Sequence, residues 1–194
     1  MSVPRPTWFR PMAFTLGATC ALLAVAMPFV PETHRPWNFA AFGAIGLFVA
    51  ARAGLIPALL LALGAKLAFD VLNYVGHDMR PDYLPSGIVY VAFACYPLLG
   101  LLLRRTEQPL KIVGVAALGG VPFFLLTNFQ AWLQHALPYP MTLAGLLKCY
   151  EMALPFHRAT LAGDLAFSVA LFATHAVLSR VAFPAERVNV KCAV

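Results

Sequence analysis

Long apolar runs recur along this chain, and they restrict it to very few architectures. Six stretches read as apolar helices: Met12–Val30, Asn38–Arg52, Leu55–Val75, Ser86–Leu103, Leu110–Gln134 and Thr160–Phe183. Most approach or exceed the ~20 residues that a helix needs to cross a bilayer. The second is shorter and is expected to begin within the interface near Trp37. Since lipid offers no partner for backbone amides and carbonyls, apolar spans of this length have to be helical. The expected fold is therefore an all-α polytopic membrane protein of about six transmembrane helices. No repeat or low-complexity tract divides it, so residues 1–194 are read as a single integral membrane domain.

Composition supports that reading. The chain is 61% hydrophobic and 11% charged, with a mean hydropathy of +0.76, whereas soluble domains carry about 25% charged residues. A net charge of +6 would suggest nucleic-acid binding in a soluble chain. In a membrane protein, basic loops on the cytoplasmic side account for it, and no nucleic-acid partner is expected. The first apolar run follows Arg5 and Arg10 as a signal peptide would. It is long for such a segment and lacks a small-x-small cleavage site, so a retained helix is expected. Cys20, Cys95, Cys149 and Cys192 form no CxxC pair, and neither a disulfide framework nor a metal site is indicated.

The placement of Lys and Arg orients the chain. With the amino terminus inside, Arg5, Arg10, Arg52, Arg104, Arg105, Lys111, Arg180, Arg187 and Lys191 fall on the inner side. Arg35, Arg80, Lys148 and Arg158 fall outside, and Lys66 lies within the third span. Both termini are then cytoplasmic. The same assignment sends Asp70, His77, Asp164 and the stretch Thr127–Asp164 towards the outer half.

That stretch concentrates polar, aromatic and ionisable residues between two apolar runs, and it is read as the lid and half the wall of an outward-facing polar pocket. Thr142 is placed to cap a short outer helix reaching Met152, and Pro155 is expected to break the chain before the sixth span. Asn128, Trp132 and His135 share one face of the fifth span. An amide inside an apolar helix needs partners, while Trp132 also suits an interfacial aromatic belt. Lys66, Asp70, Asn73 and His77 form a stripe on the third span, with Lys66 and Asp70 spaced to pair. Asp164, Ser168, His175 and Ser179 form another on the sixth. Asp164 reads as a ligand contact, a partner for Lys66, or a carboxylate at the helix's positive end. His175 reads as an interhelical hydrogen bond or a proton relay. On the first span Ala13, Gly17 and Ala21 recur every fourth residue, giving a face for close helix approach by a partner subunit or by this bundle.

The pattern Asn128-Phe129-x-x-Trp132, Tyr139-Pro140-x-Thr142-x-x-Gly145-Leu146-x-x-Cys149-Tyr150-x-x-Ala153-Leu154-Pro155-Phe156 and Leu161-x-Gly163-Asp164-Leu165 resembles an uncharacterised bacterial and archaeal family of six-helix transport-type membrane proteins. Asn38-Phe39 and Asp70 fit the same pattern. Ala41 stands where that family is expected to have proline, and His157 where a second aromatic follows Phe156. The family in turn resembles the substrate-binding (S) components of energy-coupling-factor transporters, which take up vitamins and related micronutrients. The resemblance implies a bacterial cytoplasmic (inner) membrane and an outward-facing pocket. It also implies an energising module that docks on small residues of the first helix, a role suited to Ala13, Gly17 and Ala21.

The leading functional expectation is binding of a small polar or zwitterionic micronutrient for uptake, with no cofactor. Asp70, Asn128, Tyr150 and Asp164 are assigned to its polar groups, and Trp132, Tyr139 and Phe156 to its flat part. Asn38, His77 and Thr142 complete the candidate set. A corrinoid ligand is a special case, for which Cys149, Cys95, His77 and His157 are the candidate cobalt ligands. Two other classes compete: a scaffold subunit whose polar residues serve helix association, and a membrane enzyme using Cys149 with a histidine or Asp70 with Asp164. No HExxH motif or Gly-rich phosphate loop supports the enzyme.

Overall fold

A computed structural model describes residues 9–30, 41–79, 85–104, 106–135 and 138–182. The expected class is found: among the described residues the chain is helical and without strands. The helices are α1 (Phe9–Val25), α2 (Phe42–Arg52), α3 (Leu55–Gly76), α4 (Gly87–Gly100), α5 (Pro109–Leu133) and α6 (Leu143–Val181). Single 3-10 turns follow α1 at Met27–Phe29 and α4 at Leu101–Leu103. The helices α1, α3, α5 and α6 are long and apolar enough to cross a membrane, α1 together with its following turn, while α2 and α4 are shorter apolar helices. The protein is an all-α polytopic membrane protein.

Five helices surround the sixth. Going round, α1 touches α3, α3 touches α4, α4 touches α5, α5 touches α6, and α6 closes on α1. The helix α2 packs against all five. Its sequence FGAIGLFVAAR is apolar all round apart from Arg52, and every residue of it is buried. A helix without a polar face belongs inside a bundle. The surrounding helices instead turn large apolar side chains outwards, such as Leu22, Leu60, Leu110 and Val177, as lipid contact requires.

The helix ends sort into two layers. At one end His175 near the end of α6 meets the Phe9 carbonyl at the start of α1, at 3.4 Å. Arg52, 6% exposed, donates to the carbonyls of Leu103 and Thr106, each at 3.0 Å. Its guanidinium also lies 4.8 Å from the centre of the Phe172 ring. Those carbonyls belong to the chain leaving α4, so Arg52 both supplies donors and keeps its charge over an aromatic face. Arg10, Arg104, Lys111 and Arg180 lie in the terminal turns at this same end, which is the basic end of the bundle.

Two expectations need correction, and one falls partly outside the described residues. The short outer helix and the break at Pro155 are one continuous helix, α6, of 39 residues. Thr142 does cap its start, its hydroxyl accepting from the Gly145 amide at 3.1 Å. Pro155, however, lies inside it. A proline removes one helical hydrogen bond but does not end a helix whose neighbours hold it, and α5 packs along this part of α6. The second span starts at Phe42 in the described residues, and Asn38 lies outside them. The Ala13, Gly17 and Ala21 face is buried within this chain. A Cβ on Gly17 would stand 2.4 Å from Val49 Cγ2 and 3.3 Å from Leu61 Cδ2, so α2 and α3 occupy the face expected for a partner.

Candidate functional site

The α5–α6 hairpin brings the motif-bearing stretch together, but many of its polar groups are used in holding the hairpin itself. Trp132 Nε1 donates to the Pro140 carbonyl at 3.0 Å across the connecting loop. The Tyr150 hydroxyl donates to the Leu125 carbonyl at 3.0 Å, and Cys149 Sγ reaches the Asn128 carbonyl at 3.5 Å. Thr142 is the cap just described. Trp132, Thr142 and Tyr150, expected as ligand contacts, therefore tie α6 to its cap and to α5. Tyr139 is half-buried in the connecting loop. His77 lies at the end of α3, its Nδ1 2.7 Å from the Asn73 carbonyl. Cys149 is buried. Among the described residues no group of three His, Cys, Asp or Glu side chains converges to hold a metal ion.

Beside these contacts, where Pro155 sits in α6, the hairpin leaves a cavity of about 310 Å³. Phe123, Phe124, Thr127 and Asn128 line it from α5, and Ala153, Phe156, His157 and Thr160 from α6. The spacing explains the wall: Phe124 and Asn128 are one turn apart on α5, as are Phe156 and Thr160 on α6, so each helix presents a ring and a polar group. The Asn128 side-chain nitrogen donates to the Phe124 carbonyl at 2.8 Å, and the Thr127 hydroxyl to the Phe123 carbonyl at 2.7 Å. Both bonds satisfy donors within α5 and leave oxygen acceptors of Asn128 and Thr127 for a guest. The rings of Phe124 and His157 meet at a tilt of 41° with centroids 4.7 Å apart. Of the expected contacts, Asn128 and Phe156 are in the wall; Phe123, Phe124, Thr127 and Thr160 were not singled out, and His157 was, as a departure from the family pattern and a candidate partner of cobalt or of Cys149, but not as a contact of the micronutrient.

Asp70 and Asp164 do not line this cavity; each sits in its own buried cluster organised by a tyrosine of α4. Asp70, 4% exposed, pairs with Lys66 and accepts from the Tyr90 hydroxyl at 2.8 Å. The Lys66 ammonium also lies 5.6–5.9 Å from the ring centres of Phe69, Tyr90 and Phe93. Asp164, 2% exposed, accepts from the Tyr96 hydroxyl at 2.6 Å. Six residues separate the two tyrosines, so they leave α4 on different faces, one towards α3 and the other towards α6. Phe93 stacks on Tyr96 at 5.9 Å and also reaches Lys66, so it joins the clusters through an aromatic contact.

Glycines let the Tyr96–Asp164 pair fit. A Cβ on Gly43 of α2 would stand 2.4 Å from Tyr96 Cε1 and 2.7 Å from Asp164 Oδ1. On Gly119 of α5 it would stand 2.6 Å from Tyr96 Cε1. On Gly120 it would stand 3.1 Å from His157 Cε1 and 3.4 Å from Asp164 Oδ2. Gly120 is therefore the thin partition between His157 in the cavity wall and the carboxylate behind it.

The second polar stripe points inwards throughout: Asp164, Ser168, His175 and Ser179 are all buried. His175 meets the Phe9 carbonyl and lies against the rings of Phe9 and Phe48, with centroids 4.6 and 5.7 Å away. That is the interhelical contact among its two expected roles. Ser168 Oγ is fully buried with no hydrogen-bond partner among the described residues.

No curated protein and no solved structure matches the chain. Residues 10–186, nearly the whole of the described bundle, match a family of unknown function (DUF6580), and the chain belongs to that family.

Proposed function

We propose that the chain is the substrate-binding subunit of a membrane transport system, similar to an S component of an energy-coupling-factor transporter, taking up a small micronutrient such as a vitamin. The observation that carries this reading is the cavity between α5 and α6, with phenyl rings, an amide, two hydroxyls and an imidazole in one wall. Its volume, about 310 Å³, lies at the lower end of the range for small-molecule pockets, and its mixture of apolar walls with a few polar groups is their usual design. In this reading the basic end, with its excess of Lys and Arg, faces the cytoplasm of a bacterium, and the cavity lies in the outer half of the inner membrane. An energising partner would have to dock elsewhere than on Ala13, Gly17 and Ala21, which are buried.

One observation favours a scaffold subunit without a ligand. Asp70 and Asp164 are both hydrogen-bonded inside the protein, as residues serving helix association would be. The two readings separate in a thermal-unfolding screen of purified protein against vitamins and related metabolites. A binding subunit is stabilised by one ligand class, and Phe156→Ala, at a 45% exposed position, removes that shift without lowering the unliganded Tm. A scaffold is stabilised by none.

A further inference from the structure

Asp164 is a buried carboxylate that lacks a counter-charge among the described residues. Asp70 has Lys66, and Glu151 has Lys148. Asp164 has, among the described residues, the neutral hydroxyl of Tyr96 alone. From α2 and α5 the pair is met by Gly43, Gly119 and Gly120, which bring no charge. From α4 comes Tyr96; on α6 itself His157 lies two turns before Asp164 and the neutral Ser168 one turn after. The nearest lysine on α3, Lys66, is held by Asp70. A carboxylate in an apolar interior is costly unless something neutralises it. A proton or a cationic ligand would do so, and the neighbouring cavity gives a cation a place to bind.

Among the described residues that cavity has no Lys or Arg in its wall and has three phenylalanines, Phe123, Phe124 and Phe156. Aromatic faces attract cations. Behind Gly120, Asp164 adds a field of the same preference, and in a low-dielectric setting that field is weakly screened. An anion would find neither attraction. We propose that the cavity takes an organic cation on a flat apolar frame, a protonated or quaternary amine attached to an aromatic ring, with Asp164 as its counter-charge across Gly120. This rests on the reading of the cavity as a ligand site.

The test uses three probes of similar shape titrated calorimetrically into the full-length protein: benzyltrimethylammonium, its uncharged isostere neopentylbenzene, and phenylacetate. The cation is expected to bind at least ~10-fold more tightly than either of the others, as a desolvated cation–π contact with a nearby carboxylate allows. Asp164→Asn keeps an acceptor for Tyr96 and should bring the cation to within ~3-fold of the isostere. Phe124→Leu keeps an apolar wall without the ring and should weaken the cation selectively, by ~3–10-fold. If Asp164→Asn does not fold, the wild-type selectivity and Phe124→Leu still decide. Equal binding of the three probes, tighter phenylacetate, or full cation preference in Asp164→Asn would overturn the proposal while leaving the ligand site standing. Failure of all three to bind the wild type would overturn both.

Discussion

Asp70 and Asp164 are the same device built twice, with one part missing in the second. Each is buried, and each accepts from a tyrosine hydroxyl of α4. Asp70 also has a lysine one turn earlier on its own helix. Asp164 has instead the glycines Gly43 and Gly120, and beyond Gly120 the wall of a cavity. The first cluster is closed, and its charges cancel where they stand. The second has no described cation, and Gly120 stands between it and the cavity. A structural role accounts for Asp70 completely, whereas for Asp164 it leaves the charge unexplained.

Removing each carboxyl charge tests that contrast most strongly. Asp70→Asn should leave Lys66 buried without a counter-charge and lower stability by about 3–5 kcal/mol, the usual effect of breaking a buried pair. Asp164→Asn strands no cation and should shift stability by less than about 1 kcal/mol, since the tyrosine keeps an acceptor. Reversible unfolding in mixed micelles measures both. Equal losses at the two sites would erase the distinction.

A smaller effect comes from crowding the second cluster. Gly119→Ala places a methyl group against the Tyr96 ring, where 2.6 Å is too close, and should cost about 1–3 kcal/mol as overpacking does. Gly114→Ala on the same helix meets no atom within 4 Å, and should be neutral or slightly stabilising. The same unfolding measurement distinguishes them.

The tyrosines give a finer comparison. Tyr96→Phe removes the sole described partner of Asp164 and should cost about 1–2 kcal/mol, the upper part of what hydrogen bonds between membrane helices contribute. Tyr90→Phe leaves Asp70 its lysine and should cost about 0.6 kcal/mol, near the average for such bonds. A larger loss for Tyr90→Phe would mean that Lys66 does not satisfy Asp70. Most local is Thr142→Ala at the start of α6, expected to cost about 1 kcal/mol as loss of a cap, with helix content by circular dichroism falling only slightly.

The spans were legible because apolar runs of this length have one solution in lipid, and α3, α4 and α5 begin and end close to where the sequence placed them. The centrality of α2 was not, because a short Gly- and Ala-containing apolar helix looks the same at the rim as in the middle. Pro155 misled because proline is punctuation in an isolated helix but is tolerated where another helix packs alongside. The Lys66–Asp70 pair could be read from its spacing alone. Its completion by Tyr90, and that of Asp164 by Tyr96, depend on contacts between helices, although two tyrosines in the apolar run Gly87–Gly100 were a usable signal. The site shows the same limit. Asn128 and Phe156 stood out from their surroundings, whereas Phe123 and Phe124 are ordinary in an apolar helix until α6 is laid beside them. Trp132 and Tyr150 drew attention by chemical type, and their hydrogen bonds go to the backbone of the hairpin.

The claim on which the functional account turns is that the space between α5 and α6 holds a small molecule. Native mass spectrometry of the detergent-purified protein, with released small molecules identified by mass, tests it directly in the wild type and in Asn128→Ala. Among the described residues the Asn128 side chain bonds within its own helix, through its nitrogen, and its backbone carbonyl is kept in the variant, so the variant should fold. A discrete organic metabolite bound to the wild type and lost from the folded variant is the expected result. A wild type carrying only lipid and detergent, or a metabolite retained undiminished by Asn128→Ala, would contradict it.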